Sequence, residues 1–272
     1  MRARRRFAQH FLEPTWVDRV IAAAAPSPED YFLEIGPGRG ALTLPLSRRV
    51  AGVTAVELDR DLVDWLGPRL PGHVRLVSGD FLALPPEAFL PAGVARQRVR
   101  VVGNLPYNVS SPILFRLIEL HRTEAAFTDA SLMVQREVSD RLRAKPGTRQ
   151  SGVLSILVHL DAEVETVLTL PPGAFRPAPK VWSAVVRLTF RPSPVPVSNR
   201  RLFEQVVRSI FSQRRKNLAN AIRPLAESLG QDGRVWLGAA GIDPTRRPEN
   251  LHLTELAALA DAVDPSSGPS VV

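Results

Sequence analysis

Asn104-Leu105-Pro106-Tyr107 is the stretch of this 272-residue chain whose residue types combine most directly into chemistry. The Asn104 side-chain oxygen and the Leu105 carbonyl, made prominent by Pro106, are two acceptors, and Tyr107 adds a flat ring. Together they suit a planar base that carries an exocyclic amine. Such an amine is a poor nucleophile because its lone pair is delocalised into the ring. Two acceptors on its hydrogens favour a pyramidal nitrogen, and an aromatic ring can stack on a base that has left its helix.

Three features upstream read as a nucleotide site. Glu-Ile-Gly-Pro-Gly-Arg-Gly-Ala, 34–41, ends a predicted strand and opens a helix, where glycines allow close backbone approach and a helix N-terminus offers free N–H groups. Gly36, Gly38 and Ala41 also fit the GxGxx[GA] pattern, so a nicotinamide or flavin enzyme stays open on these residues. No Lys-Ser/Thr follows the glycines, which excludes a P-loop. Glu57 closes the next strand about 20 residues on, where a carboxylate accepts both hydroxyls of a ribose. Asp80, in Gly-Asp-Phe-Leu at the tip of a third strand, can accept from an adenine amine with Phe81 beside the ring.

Positioning these groups requires an α/β sheet, because ligands of open parallel sheets bind at the carboxyl ends of the strands. Apolar runs predict strands at 31–36, 53–58, 74–79, 98–103, 130–135, 153–159 and 184–190, with helices at 41–50, 59–66, 111–121 and 136–144 between them. Parallel order with right-handed crossovers follows. Three prolines in 191–199 mark a linker. The expected organisation is a domain over 1–190, that linker, and a small helical domain over 200–272. In the latter, Leu202, Phe203, Val206, Val207, Ile210 and Phe211 form an apolar stripe and leave Arg208, Arg214, Arg215 and Lys216 to face outward. Further helices are expected at 233–240 and 251–263, and a frayed tail from residue 264.

The net charge of +8 is concentrated in two blocks: Arg2, Arg4, Arg5 and Arg6 at the start, and six Arg plus one Lys against Glu204 within 200–223. Two basic blocks on a near-neutral body form a footprint for nucleic-acid phosphates. The chain has no cysteine, and its five histidines lack ligand spacing, so neither disulfides nor a metal site is expected. With no membrane-spanning run and no signal-peptide core, the cytoplasm is the expected location.

These motifs, with RRRFAQHFL at 4–12, AVELD at 55–59, LMVQREVSDRL at 132–142, KPGTRQSGVLS at 145–155, PPGAFRPAPKVWSAVVRL at 171–188 and FSQRRKNLANAI at 211–222, resemble the bacterial ribosomal RNA adenine dimethyltransferase family over nearly the whole length. The Val-Gln-Arg-Glu-Val segment and a second Asn at 108 favour its small-subunit (16S) branch over the macrolide-resistance branch that acts on large-subunit RNA. The resemblance implies a Rossmann-like class I methyltransferase with a seven-stranded, mostly parallel sheet. It implies S-adenosyl-L-methionine as cofactor, whose cationic sulfonium spares the enzyme a strong base.

It further implies that Gln9, His10 and Leu12 line the cofactor pocket and that Gly36, Gly38 and Gly40 embrace the methionine part. Glu57 and Leu58 would hold the ribose region, Asp80 and Phe81 the adenine, and Asn104 to Tyr107 the target amine, with Asn104 also touching the cofactor and Phe175 a second aromatic clamp. Arg4, Arg5, Arg6, Arg208, Arg214, Arg215 and Lys216 would meet ribosomal RNA in the assembling small subunit, with the protein a monomer. Two departures stand out: Ala8 replaces the family's usual glycine, and Ser151 stands where an aromatic is customary. A non-catalytic RNA-binding assembly factor is the other reading of the same fold.

A ligand that binds only the native state raises apparent stability as RT ln(1 + [L]/Kd). S-adenosylhomocysteine should therefore raise the melting temperature and NAD should not. The reverse pattern in a thermal-shift screen would move the chain to the nicotinamide enzymes.

Overall fold

Short apolar runs separated by polar, helix-compatible stretches fold here into one sheet with flanking helices, followed by a run of helices. The protein is described from a computed structural model at residues 10–94 and 98–264. The expectations for Arg4, Arg5, Arg6, Ala8, Gln9 and the tail beyond Asp264 lie outside the described residues.

The order is β1 (Phe11–Leu12), α1 (Pro14–Ala24), β2 (Tyr31–Ile35), α2 (Thr43–Ser47), β3 (Gly52–Glu57), α3 (Arg60–Leu66), β4 (Val74–Ser78), β5 (Val99–Asn104), α4 (Ser110–Glu124), β6 (Asp129–Gln135) and α5 (Arg136–Leu142). There follow α6 (Val153–Asp161), β7 (Ala162–Leu170), β8 (Phe175–Arg176), β9 (Ser183–Phe190), α7 (Arg200–Ser212), α8 (Leu218–Ala221), α9 (Arg223–Ser228), α10 (Gly233–Ala239) and α11 (Leu253–Val263).

Seven strands form one sheet in the order β4-β3-β2-β5-β6-β9-β7. The first five are parallel, and β9 runs antiparallel to both its neighbours. Strands covered on both faces read as continuous apolar runs, as β2 and β3 do, and their side chains are buried accordingly.

The seven-stranded sheet matches expectation, but one of its strands does not. Residues 153–159 lie in α6, and the strand is the following segment, β7. A short apolar run cannot be assigned by periodicity alone. In α6 all residues but Val153 and His159 are buried, so a helix enclosed on every side imitates a buried strand. β7 is masked in the sequence by the opposite problem, since it is an edge strand with several exposed polar positions and a bulge between Thr166 and Leu168.

The chain divides into two compact units, Met1–Ser139 with Ala162–Arg191, and Asp140–Asp161 with Pro192–Val272. The expectation of a continuous first domain over 1–190 is corrected accordingly: residues 140–161 cluster with the helices. In that helical unit Phe203, Val206, Val207 and Ile210 are the buried stripe of α7, and Asn199 caps the helix by accepting from Leu202 N–H at 3.1 Å. Asp161, at the end of α6, pairs with Arg200 of α7 at 2.7 Å. The expected linker, 191–199, has no regular structure. Among the described residues, no helix is long and apolar enough to cross a membrane.

In the sheet unit Arg100 of β5 is the main polar tie. Its guanidinium takes both oxygens of Asp129 (2.9 and 2.6 Å), Asp30 (2.8 Å), and the carbonyls of Ala24 and Ala25 at the end of α1 (2.8 Å each). Its side chain is 12% exposed and its two acids are nearly as buried. Removing one partner of such a group strands the others in a low dielectric. Arg100→Ala should cost about 3–5 kcal/mol, read as a lowered urea midpoint; a loss below about 1 kcal/mol would show that water substitutes for the guanidinium.

Candidate active site

Parallel strands end at one edge of the sheet, and the chain leaves β2, β3 and β5 there at Gly36, Glu57 and Asn104. After β2 the backbone turns through Gly36 at φ 72° and Gly38 at φ 58°, values that favour glycine. The Gly38 N–H donates to Glu57 Oε2 at 2.9 Å, and the Asp59 N–H donates to Glu57 Oε1 at 2.9 Å. Glu57 thus joins the turn after β2 to the start of α3. Burial pushes its carboxyl pKa up, with these N–H bonds opposing the shift. Asp80 is exposed at the end of β4, and its Oδ1 accepts Leu82 N–H at 2.9 Å.

The acceptor end is built by contacts between distant residues. The Asn104 amide donates from Nδ2 to the His10 carbonyl at 2.7 Å. A carbonyl can only accept, so the amide nitrogen faces His10 and the Asn104 oxygen is turned away from it. The His10 ring stacks on Tyr107 with centroids 5.3 Å apart and planes at 25°. His10 Nδ1 lies 2.6 Å from the Pro177 carbonyl and therefore carries the proton there. On the Tyr107 hydroxyl sits Ser183 Oγ, at 2.7 Å. Burial raises the Tyr107 pKa, so its hydroxyl stays protonated across the neutral range.

One cavity of about 760 Å³ gathers His10, Leu12, Gly36, Gly38, Glu57, Leu58, Asp80, Phe81 and Asn104 to Tyr107 on its wall. Two expected residues are absent from that wall. Gly40 is not on it; it has φ 75°, and a Cβ there would stand 2.7 Å from Leu66 Cδ1. Phe175 is 1% exposed and sits in the core with Leu12, Val20 and Phe32. Its pairing with Leu12 across β1 and β8 holds it there, and Arg176 and Pro177 reach the cavity in its place.

Two residues at the site were not singled out from sequence. Ser183 opens β9, and its partner Tyr107 lies 76 residues away, a pairing no local pattern carries. Glu34 also lines the cavity; it is 1% exposed, and its Oε2 has no partner among the described residues. Its place inside an otherwise apolar strand was the available signal.

In the helical unit, Arg149, Arg214, Arg215 and Arg247 surround a depression of about 530 Å³ that holds one acid, Glu249. Arg208, Arg215 and Lys216 are exposed as expected. Arg214 is half-buried, however, with Nε 3.6 Å from Glu249 and a guanidinium hydrogen bond to the Arg149 carbonyl. Arg200 and Arg223 are paired with Glu204 and Glu227, which reduces the free charge of the basic block.

The family model described as ribosomal RNA adenine dimethylase matches residues 1–258. A protein of Nitrosococcus oceani named ribosomal RNA small subunit methyltransferase A is 45% identical over 262 residues, covering 95% of each chain. Its namesake in Xylella fastidiosa (strain 9a5c) is 40% identical over 266 residues, 96% of each chain. In fold, the chain is similar to a dimethyladenosine transferase from Plasmodium falciparum, with TM-score 0.72 and 24% identity over 92% of this chain and 96% of that one. It is also similar to the 23S rRNA methyltransferase ErmE, with TM-score 0.65 and 24% identity over 93% and 99%.

Burial, with repulsion from Glu57, raises the Glu34 carboxyl from 4.5 to about 7. The folded state therefore holds a proton that the unfolded chain releases between these values. Stability from this proton is complete below about pH 4.5 and lost as pH rises through about 7. Glu34→Gln should gain on the parent protein across that window by at most about 3 kcal/mol. A stability difference that stays flat from pH 4.5 to 7.5 would show that Glu34 is solvated.

Proposed function

The chain belongs to the ribosomal RNA adenine dimethylase family, and on that premise we propose that it transfers methyl groups from S-adenosylmethionine to the N6 amines of adjacent adenosines in small-subunit (16S) ribosomal RNA. The observation that carries the reading is the Asn104 amide, oriented by the His10 carbonyl beside a Tyr107 ring that is held on two sides. An acceptor whose direction is set before the ligand arrives needs no reorganisation when the amine binds.

The cofactor suits the residues present. A cavity of about 760 Å³ lies in the range of small-molecule sites. Its glycine turn is tight at Gly38, where the backbone has φ 58° and a Cβ would stand 3.3 Å from the Phe11 ring. Glu57, Leu58, Asp80 and Phe81 would hold the nucleoside, the acids accepting from hydroxyl and amine groups and the apolar side chains covering the ring. When bound, the sulfonium supplies an electrophilic methyl group.

The remaining work falls to Asn104 and Leu105, whose oxygens draw on the amine hydrogens and leave the nitrogen lone pair free to attack. Tyr107, kept neutral by burial, is a stacking surface and not a base. His10 covers one face of Tyr107, so the target adenine takes the other. A monomethylated amine keeps one hydrogen for an acceptor, which allows a second transfer. The arginines around the helical unit's depression would hold the RNA backbone, whose phosphates dominate affinity without reading sequence. The relatives' name points to the small subunit, and the substrate in this reading is an assembling particle met by a single copy of the protein.

Undermethylated small subunits and large-subunit RNA, each incubated with labelled S-adenosylmethionine and digested to nucleosides, provide the test. Dimethyladenosine should appear from small subunits. Label only in large-subunit RNA would move the chain to the resistance branch, and no label at all would make it an assembly factor. Asn104→Ala should abolish transfer with S-adenosylhomocysteine affinity nearly unchanged, whereas Glu57→Ala should weaken that affinity. Equal losses in calorimetric titration would overturn this division of roles.

A further inference from the structure

Parallel register places Glu34 between the two groups that the proposed reaction must connect. On β2 it lies opposite Ala55 of β3 and Val102 of β5. Two residues further along those strands stand Glu57 and Asn104, and alternate residues of a strand share a face. Glu34, Glu57 and Asn104 therefore project from one face of the sheet. Glu34 is on the middle strand, set back by about 6–7 Å along the strand direction. All three line the cavity.

No guanidinium is buried with it. Arg39 and Arg176 on the cavity wall are exposed, as is Asp80, while His10 and Glu13 are half-buried and Tyr107 is neutral. The charge facing Glu34 from β3 is that of Glu57, which repels it. Glu34 Oε2 has no hydrogen-bond partner among the described residues, nor does the hydroxyl of Thr43, the α2 side chain beside it. A buried carboxyl in such surroundings stays neutral until a positive charge arrives.

We propose that Glu34 is the counter-charge of the sulfonium: it is protonated in the free protein and with the uncharged product, and it ionises when the cationic cofactor binds. The inference rests on the reading of the cavity as an S-adenosylmethionine site. In that reading the ribose lies at Glu57 and the target amine at Asn104, so the sulfur, which carries the methyl group between them, lies over Glu34. Transfer turns the sulfonium into a neutral thioether, and the amine gains the methyl group and loses one hydrogen as a proton. Glu34 takes up one proton in the same turnover, so the charge of the buried site is unchanged and the product is not held by an unpaired carboxylate. Burial and Glu57 keep the free carboxyl at about 7. Below that value a proton must be displaced for the donor to bind, and above it none, so affinity for the donor rises with pH.

The test is calorimetric titration of the full chain with S-adenosylmethionine and with S-adenosylhomocysteine, each in two buffers of different ionisation enthalpy, which counts the protons released. S-adenosylmethionine should release roughly half to one proton more than S-adenosylhomocysteine at pH 6, with the difference nearly gone at pH 8. Its affinity relative to the product should fall roughly five- to tenfold from pH 8 to pH 6. Glu34→Gln keeps the shape and removes the charge. In this variant the difference in release should vanish, and donor affinity at pH 8 should drop by roughly 10- to 100-fold while product affinity stays within about twofold. Equal release by the two ligands in the parent protein overturns the proposal, because the responding group would then answer to the α-ammonium that both ligands carry. A difference that survives in Glu34→Gln overturns it too, since another group would be titrating. In either case binding of both ligands leaves the cofactor reading standing, whereas binding of neither removes that reading and this inference together.

Discussion

The parallel register of β2 with β3 and β5 is the constraint from which the site follows. Ile35 lies opposite Val56 on one side and Gly103 on the other, so the next residue of each strand, or the turn after it, emerges at the same edge. Gly36, Glu57 and Asn104 are neighbours for that reason alone. The approach of β5 to β2 is close enough that a Cβ at Gly103 would stand 2.8 Å from the Ile35 carbonyl oxygen, so only glycine fits without a shift. A slip of one residue would turn alternate side chains to the opposite face and carry the acid and the amide off the edge.

Two carboxylates near that edge are treated differently, and the difference separates support from cost. Glu57 has each oxygen on a backbone N–H, which fixes its orientation toward the cavity. Glu34 keeps an oxygen without a described partner in a fully buried position, an arrangement that natural cores rarely tolerate. Departures of this kind concentrate where a protein serves its ligand and not its own stability. At the acceptor end the same economy appears in His10, whose carbonyl sets Asn104 and whose ring lies on Tyr107.

Much of this was legible in the sequence because strands buried on both faces and glycine turns leave local signatures. The six strands of the large sheet other than β7 lie within a residue or so of their expected bounds, and Gly36, Glu57, Asp80 and Asn104 lie at or just beyond strand ends as expected. What was not legible depends on contacts across the fold. The helix at 153–161 hides behind an apolar run with no period, and β7 behind an edge strand's mixed face and bulge. Phe175 looks available in sequence because its pairing with Leu12 spans more than 160 residues. The Ser183–Tyr107 bond is equally remote, and the acids that neutralise Arg200, Arg214 and Arg223 become visible only once the helices are placed.

The chain leaves the sheet unit after Ser139, returns at Ala162 and leaves again after Arg191. Truncation at the proline-rich segment would therefore not yield a clean catalytic fragment. It would remove α7 and leave the apolar surface of α6 uncovered, with Asp161 deprived of Arg200. The hydrophobic stretch that looked like a strand would then be an aggregation-prone remnant. A minimal version of the enzyme would need a second excision, with Ser139 rejoined to Ala162 through a short designed turn. By the same logic, a single crossover in the proline-rich segment between two relatives would take α6 from one parent and α7 from the other.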